Sequence, residues 1–183
     1  MTPTLSLTES QTCTALRAFL LNVLPSPVEV IRTQDNRVPV PSGPDYVTMT
    51  PMMLVRLETN VVTYGDPFPA TPGTRMDRKA TQVTVQLDIY GPASADNAQI
   101  VATLLRSDYA TDQFATSGFD VTPLYAGEPH QMPFSNGEQQ VENRWTVDAV
   151  LQTNPIVTTG QEFASEVHIG TQGLINVDVV YPP

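Results

Sequence analysis

Two histidines, His130 and His168, are the only imidazoles in the chain, and imidazole is the side chain most often used for proton transfer and metal ligation near neutral pH. Each lies in or beside a loop, with no second histidine at ligand spacing, so a zinc site or a nucleophilic triad lacks its parts and solvated polar residues are expected. Ser107, Ser117 and Ser135 sit in no Gly-x-Ser-x-Gly elbow, and no Gly-rich phosphate loop ends in Lys-Ser or Lys-Thr. Asp108 and Asp112 are four residues apart and can share a helix face. Such a pair can bind a cation or do acid–base work, but far more often it is the solvated end of a helix. Cys13 falls in a helical stretch, where a thiol packs rather than attacks. Trp145 alternates with core residues and reads as packing before ligand stacking. These residues supply no positive case for an enzyme, and neither a metal nor a cofactor is expected.

The elements that hold them are legible from periodicity. Leu16, Phe19, Leu20, Val23 and Leu24 follow the spacing of one buried helix face. Thr8 and Gln11 form a capping box ahead of it, and Pro25 and Pro27 stop it. Val28 to Arg32 is a short strand, and 35–45 a loop. Tyr46 to Val62 reads as one long extended segment, with a bulge or an edge position expected at Pro51. Residues 63–79 read as a long Pro/Gly-rich loop. From Thr81 to Gly91, Val83, Val85, Leu87 and Ile89 alternate with Gln82, Thr84, Gln86 and Asp88, which predicts a strand with one face in the core. Ser94 or Asp96 is expected to cap a second helix that buries Ala98, Val101, Ala102 and Leu105. Asp108 to Phe114 adds a further helical turn. After a proline-dotted stretch from Gly118 to Asn136, Gln140 to Gln152 predicts a second long strand. Its core face holds Val141, Trp145, Val147, Ala149 and Leu151; its polar face holds Glu142, Arg144, Thr146 and Asp148. A last strand is expected at 174–181. The order predicts a single α+β domain over 1–183: a mixed or antiparallel sheet with two main helices on one face.

Charge narrows the function classes. Among 183 residues, 19 acids against 9 bases give a formal charge of −10. Residues 1–106 carry nine acids and eight bases, whereas 107–183 carry ten acids and only Arg144 as a base. This argues against an avid binder of nucleic-acid backbone, which needs clustered Lys and Arg. The one local concentration of bases is Arg75, Arg78 and Lys79. A single cysteine excludes an internal disulfide framework and suits a reducing cytoplasm. No run of 18 apolar residues is present, so no membrane span is expected, and the first residues do not read as a secretion signal.

Several phrases in order carry a resemblance: Pro44-Asp45-Tyr46-Val47-Thr48-Met49-Thr50-Pro51, Arg56-Leu57-Glu58-Thr59-Asn60, Val83-Thr84-Val85-Gln86-Leu87-Asp88-Ile89-Tyr90-Gly91-Pro92 with the helix from Asp96 to Tyr109, Pro123-Leu124-Tyr125, Arg144-Trp145, and Leu151-Gln152-Thr153-Asn154-Pro155. Over roughly residues 8 to 165 the chain resembles the neck or tail terminator proteins of contractile-tailed phages. The resemblance implies a non-enzymatic virion protein. It implies a ring, usually of six copies, that caps the finished tail tube, stops its polymerisation and joins the tail to the head connector. Its partners would be copies of itself, the tail tube protein, neck or connector proteins and, in contractile tails, the sheath. Viral DNA would pass through the central channel without specific binding. Assembly would take place in the host cytoplasm, with no role for a membrane. The alternative within the same structural class is a head-completion or connector adaptor protein. A small hydrolase and a DNA-binding regulator are the competing classes outside it.

Two sets of residues are the candidates for such surfaces. Gln82, Thr84, Gln86 and Asp88, with Glu142, Thr146 and Asp148, could line the channel or meet a neighbouring subunit. Arg75, Arg78 and Lys79 could form a docking loop onto an acidic neighbour or the tube.

Overall fold

In a computed structural model of the protein, the residues described are 2–25, 27–33, 41, 43–67, 72–132, 134–135, 141–164, 166–169 and 177–180, the side chains of 134, 135, 141, 166–169 and 177–180 excepted. The elements in chain order are β1 (Thr4–Leu5), α1 (Glu9–Val23), β2 (Glu29–Arg32), β3 (Tyr46–Arg56), β4 (Val61–Gly65), β5 (Thr74–Arg78), β6 (Thr81–Tyr90), α2 (Ser94–Leu104), α3 (Asp108–Ala115), β7 (Val121–Ala126), β8 (His130–Gln131), β9 (Phe134–Ser135), β10 (Val141–Glu142), β11 (Arg144–Thr153), β12 (Ile156–Gly160), β13 (Glu166–Ile169) and β14 (Val177–Val180). The architecture is α+β. The chain forms two compact units: Leu7–Thr59 with Lys79–Pro155, and Met1–Ser6 with Asn60–Arg78 and Ile156–Pro183.

The larger unit is a six-stranded sheet in the order β2-β3-β6-β11-β7, with β8 also pairing with β11. Only β2 and β3 run parallel; the other pairs are antiparallel. The pleat sends alternate side chains to opposite faces. Val47, Met49, Val83, Val85, Leu87, Ile89, Val147, Ala149 and Leu151 join one buried cluster with Leu16, Phe19 and Leu20 of α1, Ala98, Val101 and Ala102 of α2, and Ala110 and Phe114 of α3. Phe19 and Phe114 meet with ring centroids 5.5 Å apart. Each such fully buried large side chain contributes about 1.5–3 kcal/mol.

α1 starts where the capping box places it. The Thr8 hydroxyl accepts from the Gln11 backbone N–H at 3.3 Å, and the Gln11 side-chain carbonyl accepts from the Thr8 N–H at 2.8 Å. α2 departs from expectation, because neither Ser94 nor Asp96 caps it. The cap is Ala93, whose side chain accepts nothing, and Ser94 is buried in the first turn. Instead the carboxylate of Asp45, from the segment leading into β3, accepts from the Ala93 N–H at 3.0 Å. That places negative charge at the positive end of the helix. The turn before it depends on Gly91. Its φ is +104°, a region open to glycine, and its N–H donates to the Asn143 carbonyl.

The smaller unit contains a four-stranded sheet in the order β1-β12-β5-β4 and a separate β13-β14 pair. It corrects the expected 63–79 loop. Val61–Gly65 pairs antiparallel with Thr74–Arg78, so both ends of the segment are strand; of the residues between them, 68–71 lie outside the described residues. The β-branched and aromatic residues at 61–64 favour a strand; prolines 67, 69 and 72 fall between the strands and not within them. The long extended segment from Tyr46 is correspondingly two strands, interrupted at 57–60. The proline-dotted stretch also holds β7, with Pro123 on a sheet edge where its missing N–H costs no ladder bond. Of the expected C-terminal strand, 177–180 is β14, and residues 174–176 and 181 lie outside the described residues.

Candidate functional site

The registers across β3, β6 and β11 bring the sequence candidates onto one surface. Away from the helices, residues stand three abreast as Tyr46–Tyr90–Arg144, Thr48–Asp88–Thr146, Thr50–Gln86–Asp148, Met53–Thr84–Val150 and Val55–Gln82–Gln152. Gln82, Thr84, Gln86 and Asp88 therefore share a face with Thr146 and Asp148. Glu142 stands apart from these rows, in β10, which pairs with β9.

This face is not uniformly solvated. Thr48, Asp88 and Thr146 are all buried, whereas Gln82, Thr84, Gln86, Glu142 and Asp148 are half-buried. The Thr146 hydroxyl donates to Asp88 Oδ1 at 2.7 Å, and the Gln86 amide donates to Asp88 Oδ2 at 2.9 Å. Arg144 Nε lies 3.6 Å from Asp88 Oδ1. Asp88 is thus the hub of an internal polar network, with both carboxylate oxygens engaged. A buried carboxylate needs such partners, because taking its charge out of water costs several kcal/mol. At the end of the same face the Tyr46 and Tyr90 rings stack, centroids 4.6 Å apart and 11° from parallel. Burial, then the neighbouring phenol and Glu142, raises the Tyr46 pKa above its usual 10.0. For Tyr90, burial is again the main cause of an upward shift, partly opposed by its hydrogen bond with Arg144.

The three bases of the expected docking loop fall on different elements, Arg75 and Arg78 on β5 and Lys79 after it. Arg75 is bound to Asp77 on its own strand, through Nε at 2.9 Å and Nη2 at 3.0 Å. That hydrogen bond and the charge of Asp77 raise the Arg75 pKa above its ordinary value. Alternation along β5 sends Arg78 to the opposite side from Arg75, where it is exposed. Lys79 belongs to the larger unit, where its N–H donates to the Pro155 carbonyl.

Two surfaces were missed by sequence reasoning. β2 pairs only with Tyr46–Met49, so among the described residues no strand pairs with the outer edge of β3 beyond Met49. The register shift between Pro51 and Met53 places an extra residue, Met52, at this edge, as expected at Pro51. From there Met52, Met53, Leu54, Val55 and Leu57 are 58%, 55%, 67%, 38% and 46% exposed. Met53 and Val55 point to the polar side of the sheet, and Leu54 to the helix side. The signal was present: Pro51-Met52-Met53-Leu54-Val55 is an unbroken apolar run, not an alternation. In the smaller unit, edge strand β4 exposes Val61, Val62 and Tyr64 in the same way. Tyr64 also packs edge-on against Phe163 at 6.1 Å.

The remaining chemistry is quiet. Cys13 is buried, and the cations near it are engaged, Arg17 with the Val30 carbonyl at 2.9 Å and Arg32 with Glu9. Asp108 and Asp112 are exposed on α3. Among the described residues, no three His, Cys, Asp or Glu side chains converge as metal ligands, and no helix is long and apolar enough to cross a membrane. The geometry offers sheet faces and strand edges, which are the elements of protein–protein association.

Comparison with known proteins agrees with that emphasis. No curated protein matches the chain. A family model described as phage neck terminator protein matches residues 12–176, covering the long strands β3, β6 and β11, α2, α3, most of α1 and the β4–β5 hairpin. By that match the chain belongs to the phage neck terminator protein family, a family of structural proteins of the virion neck.

Proposed function

We propose that this protein is the tail terminator of its phage: a ring, six copies in the reading favoured here, that caps the tail tube, halts its polymerisation and joins the tail to the head connector. The observation that supports the reading beyond family membership is the exposure of large apolar side chains on two strands, Met52, Met53, Leu54 and Val55 of β3 and Val61, Val62 and Tyr64 of β4. A ring closes through a head-to-tail contact, which needs two different surfaces on each protomer. Tube, connector and, in a contractile tail, sheath would meet the remaining faces.

The charge fits a passive channel. Six copies at −10 each sum to −60. Duplex DNA carries one negative charge per roughly 1.7 Å, so an acidic bore repels the passing genome and limits sticking. Gln82, Thr84, Gln86 and Asp148 are half-buried side chains on the sheet face available to such a bore or to a subunit contact. Asp88 and Thr146 would support that face from within. Arg78 and Lys79, with Arg75 through its pair with Asp77, are the docking candidates for an acidic neighbour.

The test is genetic and structural. Particles lacking this protein should yield tails of uncontrolled length or headless tails, and the protein should co-purify with headless tails and not with tailless heads. Residence on tailless heads would favour the adaptor reading. Reversing the charge at Arg75, Arg78 and Lys79 together should block head–tail joining or ring closure; normal assembly of that triple variant would remove the docking role.

A further inference from the structure

We infer that the groove between α1 and β2, flanked by Arg17 and Arg32, receives the paired carboxylates Asp108 and Asp112 on α3 of a second copy of this chain. The inference rests on the ring reading above and names one seam that would close it.

The groove lies within the larger unit. Ser10, Thr14 and Arg17 of α1 form one wall and Ile31 and Arg32 of β2 the other, around a cavity of about 330 Å³. Both guanidiniums are held in place by the protein. Arg17 Nε donates to the Val30 carbonyl at 2.9 Å, and Arg32 Nη2 pairs with Glu9. A guanidinium carries several N–H donors in a rigid fork, so each of these pairings leaves donors over. Arg32 Nε is buried and meets no acceptor among the described residues. A buried donor without an acceptor costs free energy until something supplies one. Glu9, itself 52% exposed, is the carboxylate bound to Arg32, whereas Glu29 alternates with Arg32 to the other face of β2. Arg17 and Arg32 against Glu9 leave an excess of positive charge here, in a chain whose formal charge is −10. Thr33, next after β2, is tied to β3: its N–H and its hydroxyl donate to the Met49 carbonyl at 3.0 and 3.1 Å.

The occupant is argued from charge and spacing. Residues 107–183 hold ten acids and one base, so the copies themselves supply the complementary anion. In that half, Asp108 and Asp112 are both exposed on α3, and neither carboxylate makes a hydrogen bond or ion pair among the described residues. Four positions apart on a helix, their Cβ atoms stand about 5–6 Å from each other on one face. That spacing offers one carboxylate to each of two neighbouring guanidiniums, and the planar fork of arginine takes both oxygens of a carboxylate. Tyr109 beside them is 43% exposed and adds an aromatic side chain of the kind enriched at interfaces. Copies with a net charge of −10 repel one another, and a seam that joins the basic groove of one to the acidic helix of the next offsets that repulsion. Groove and helix are different surfaces, so the contact is head-to-tail, the kind that propagates in one direction and closes into a ring.

The experiment is a charge swap in particles. A phage lacking its own copy is supplied with the full chain carrying Arg17→Glu, or Asp108→Lys with Asp112→Lys, or all three substitutions, and tailed particles with a ring at the neck are counted by electron microscopy. The first two variants set like charges against each other across the seam and should each lower the count about tenfold or more, and the triple variant should restore it to within about threefold of the parental chain. Circular dichroism of each purified chain checks that it folds. Arg17→Gln, which removes the charge and keeps an amide donor, replaces Arg17→Glu if that chain does not fold, and should lose in the same direction. A normal count for the folded Arg17 variant would overturn the inference, as would a loss that the triple variant fails to repair. Loss with the Arg17 variant but not with the α3 variant would mean that the groove takes a carboxylate of another neck protein, and would overturn the second copy as occupant. In all these cases a ring of the parental chain at the neck leaves the terminator reading standing. Parental particles with no ring of this chain there would overturn that reading, and the seam with it.

Discussion

Removing the carboxylate at Asp88 separates two meanings of a polar strand face. Alternation alone makes Asp88 a solvated or channel-facing charge, whose loss should hardly affect stability. In the structure it is 6% exposed, accepts from Thr146 and Gln86, and faces Arg144 at 3.6 Å. Asp88→Ala strands a buried hydroxyl and leaves Arg144, whose side chain is only 19% exposed, without that carboxylate. Losing a hydrogen bond to a charged group costs about 1.5–3 kcal/mol, and breaking a buried ion pair costs about 3–5 kcal/mol. Since Gln86 can turn to solvent and Arg144 also reaches Tyr90, the low end of the second range is expected, about 3 kcal/mol. For a chain of this size each kcal/mol moves Tm by about 2–4 °C, so thermal unfolding should shift down by about 6–12 °C. Asp88→Asn keeps an acceptor for Thr146 but not a charge for Arg144, and should lose about half as much. A fall of less than about 2 °C for Asp88→Ala, measured by circular dichroism or calorimetry on the purified chain, would refute the internal network. Unchanged stability combined with altered DNA ejection would return Asp88 to the channel.

Three further outcomes follow from local geometry. A Cβ added at Gly91 would lie 2.4 Å from both the Pro44 carbonyl oxygen and Asp45 Oδ1, at a φ of +104°; Gly91→Ala should therefore lower stability by about 2–3 kcal/mol, read from the denaturant midpoint. Thr8→Ala removes the side-chain half of the α1 capping box and should cost about 1 kcal/mol in the same assay, with Thr8→Ser retaining most of it. Tyr46 and Tyr90 are both raised above 10.0, so below pH 10 they contribute the same as in the unfolded chain. As pH rises past 10, the unfolded phenols ionise first and stability falls, until the folded phenols ionise too; Tyr90→Phe should flatten this alkaline loss, followed by unfolding midpoint against pH and by tyrosinate absorbance.

The fold was legible where a single period ran long enough. α1 declared its face at Leu16, Phe19 and Leu20 and its start at Thr8, and β6 and β11 declared theirs by alternation, broken in β11 at Val150. What was lost lay where a composition average spans more than one element. Prolines at 67, 69 and 72 made 63–79 look like one loop, although β4 and β5 flank them, and Pro123 concealed an edge strand that tolerates it. The cap of α2 was illegible for another reason: the residue that serves it, Asp45, is 48 positions away.

The candidate surfaces show the same limit in a sharper form. Periodicity tells which side chains leave a strand together, and it correctly grouped Gln82, Thr84, Gln86 and Asp88. It cannot tell whether a polar row meets water, a partner or itself, because that depends on what two other strands place abreast. Thr48 and Thr146, from positions 40 residues before and 58 after, decide that Asp88 is internal. The apolar run 51–55 is the converse case. Met52 to Val55 keep large apolar side chains exposed on both faces of the strand. Composition rewards such a run with the label of core, and only the three-dimensional order β2-β3-β6, with β2 ending opposite Met49, reveals that nothing described in the protomer stands beside it. In this protein, then, Met52 to Val55, which look most like interior, are exposed, while Asp88, which looks like exterior, is buried.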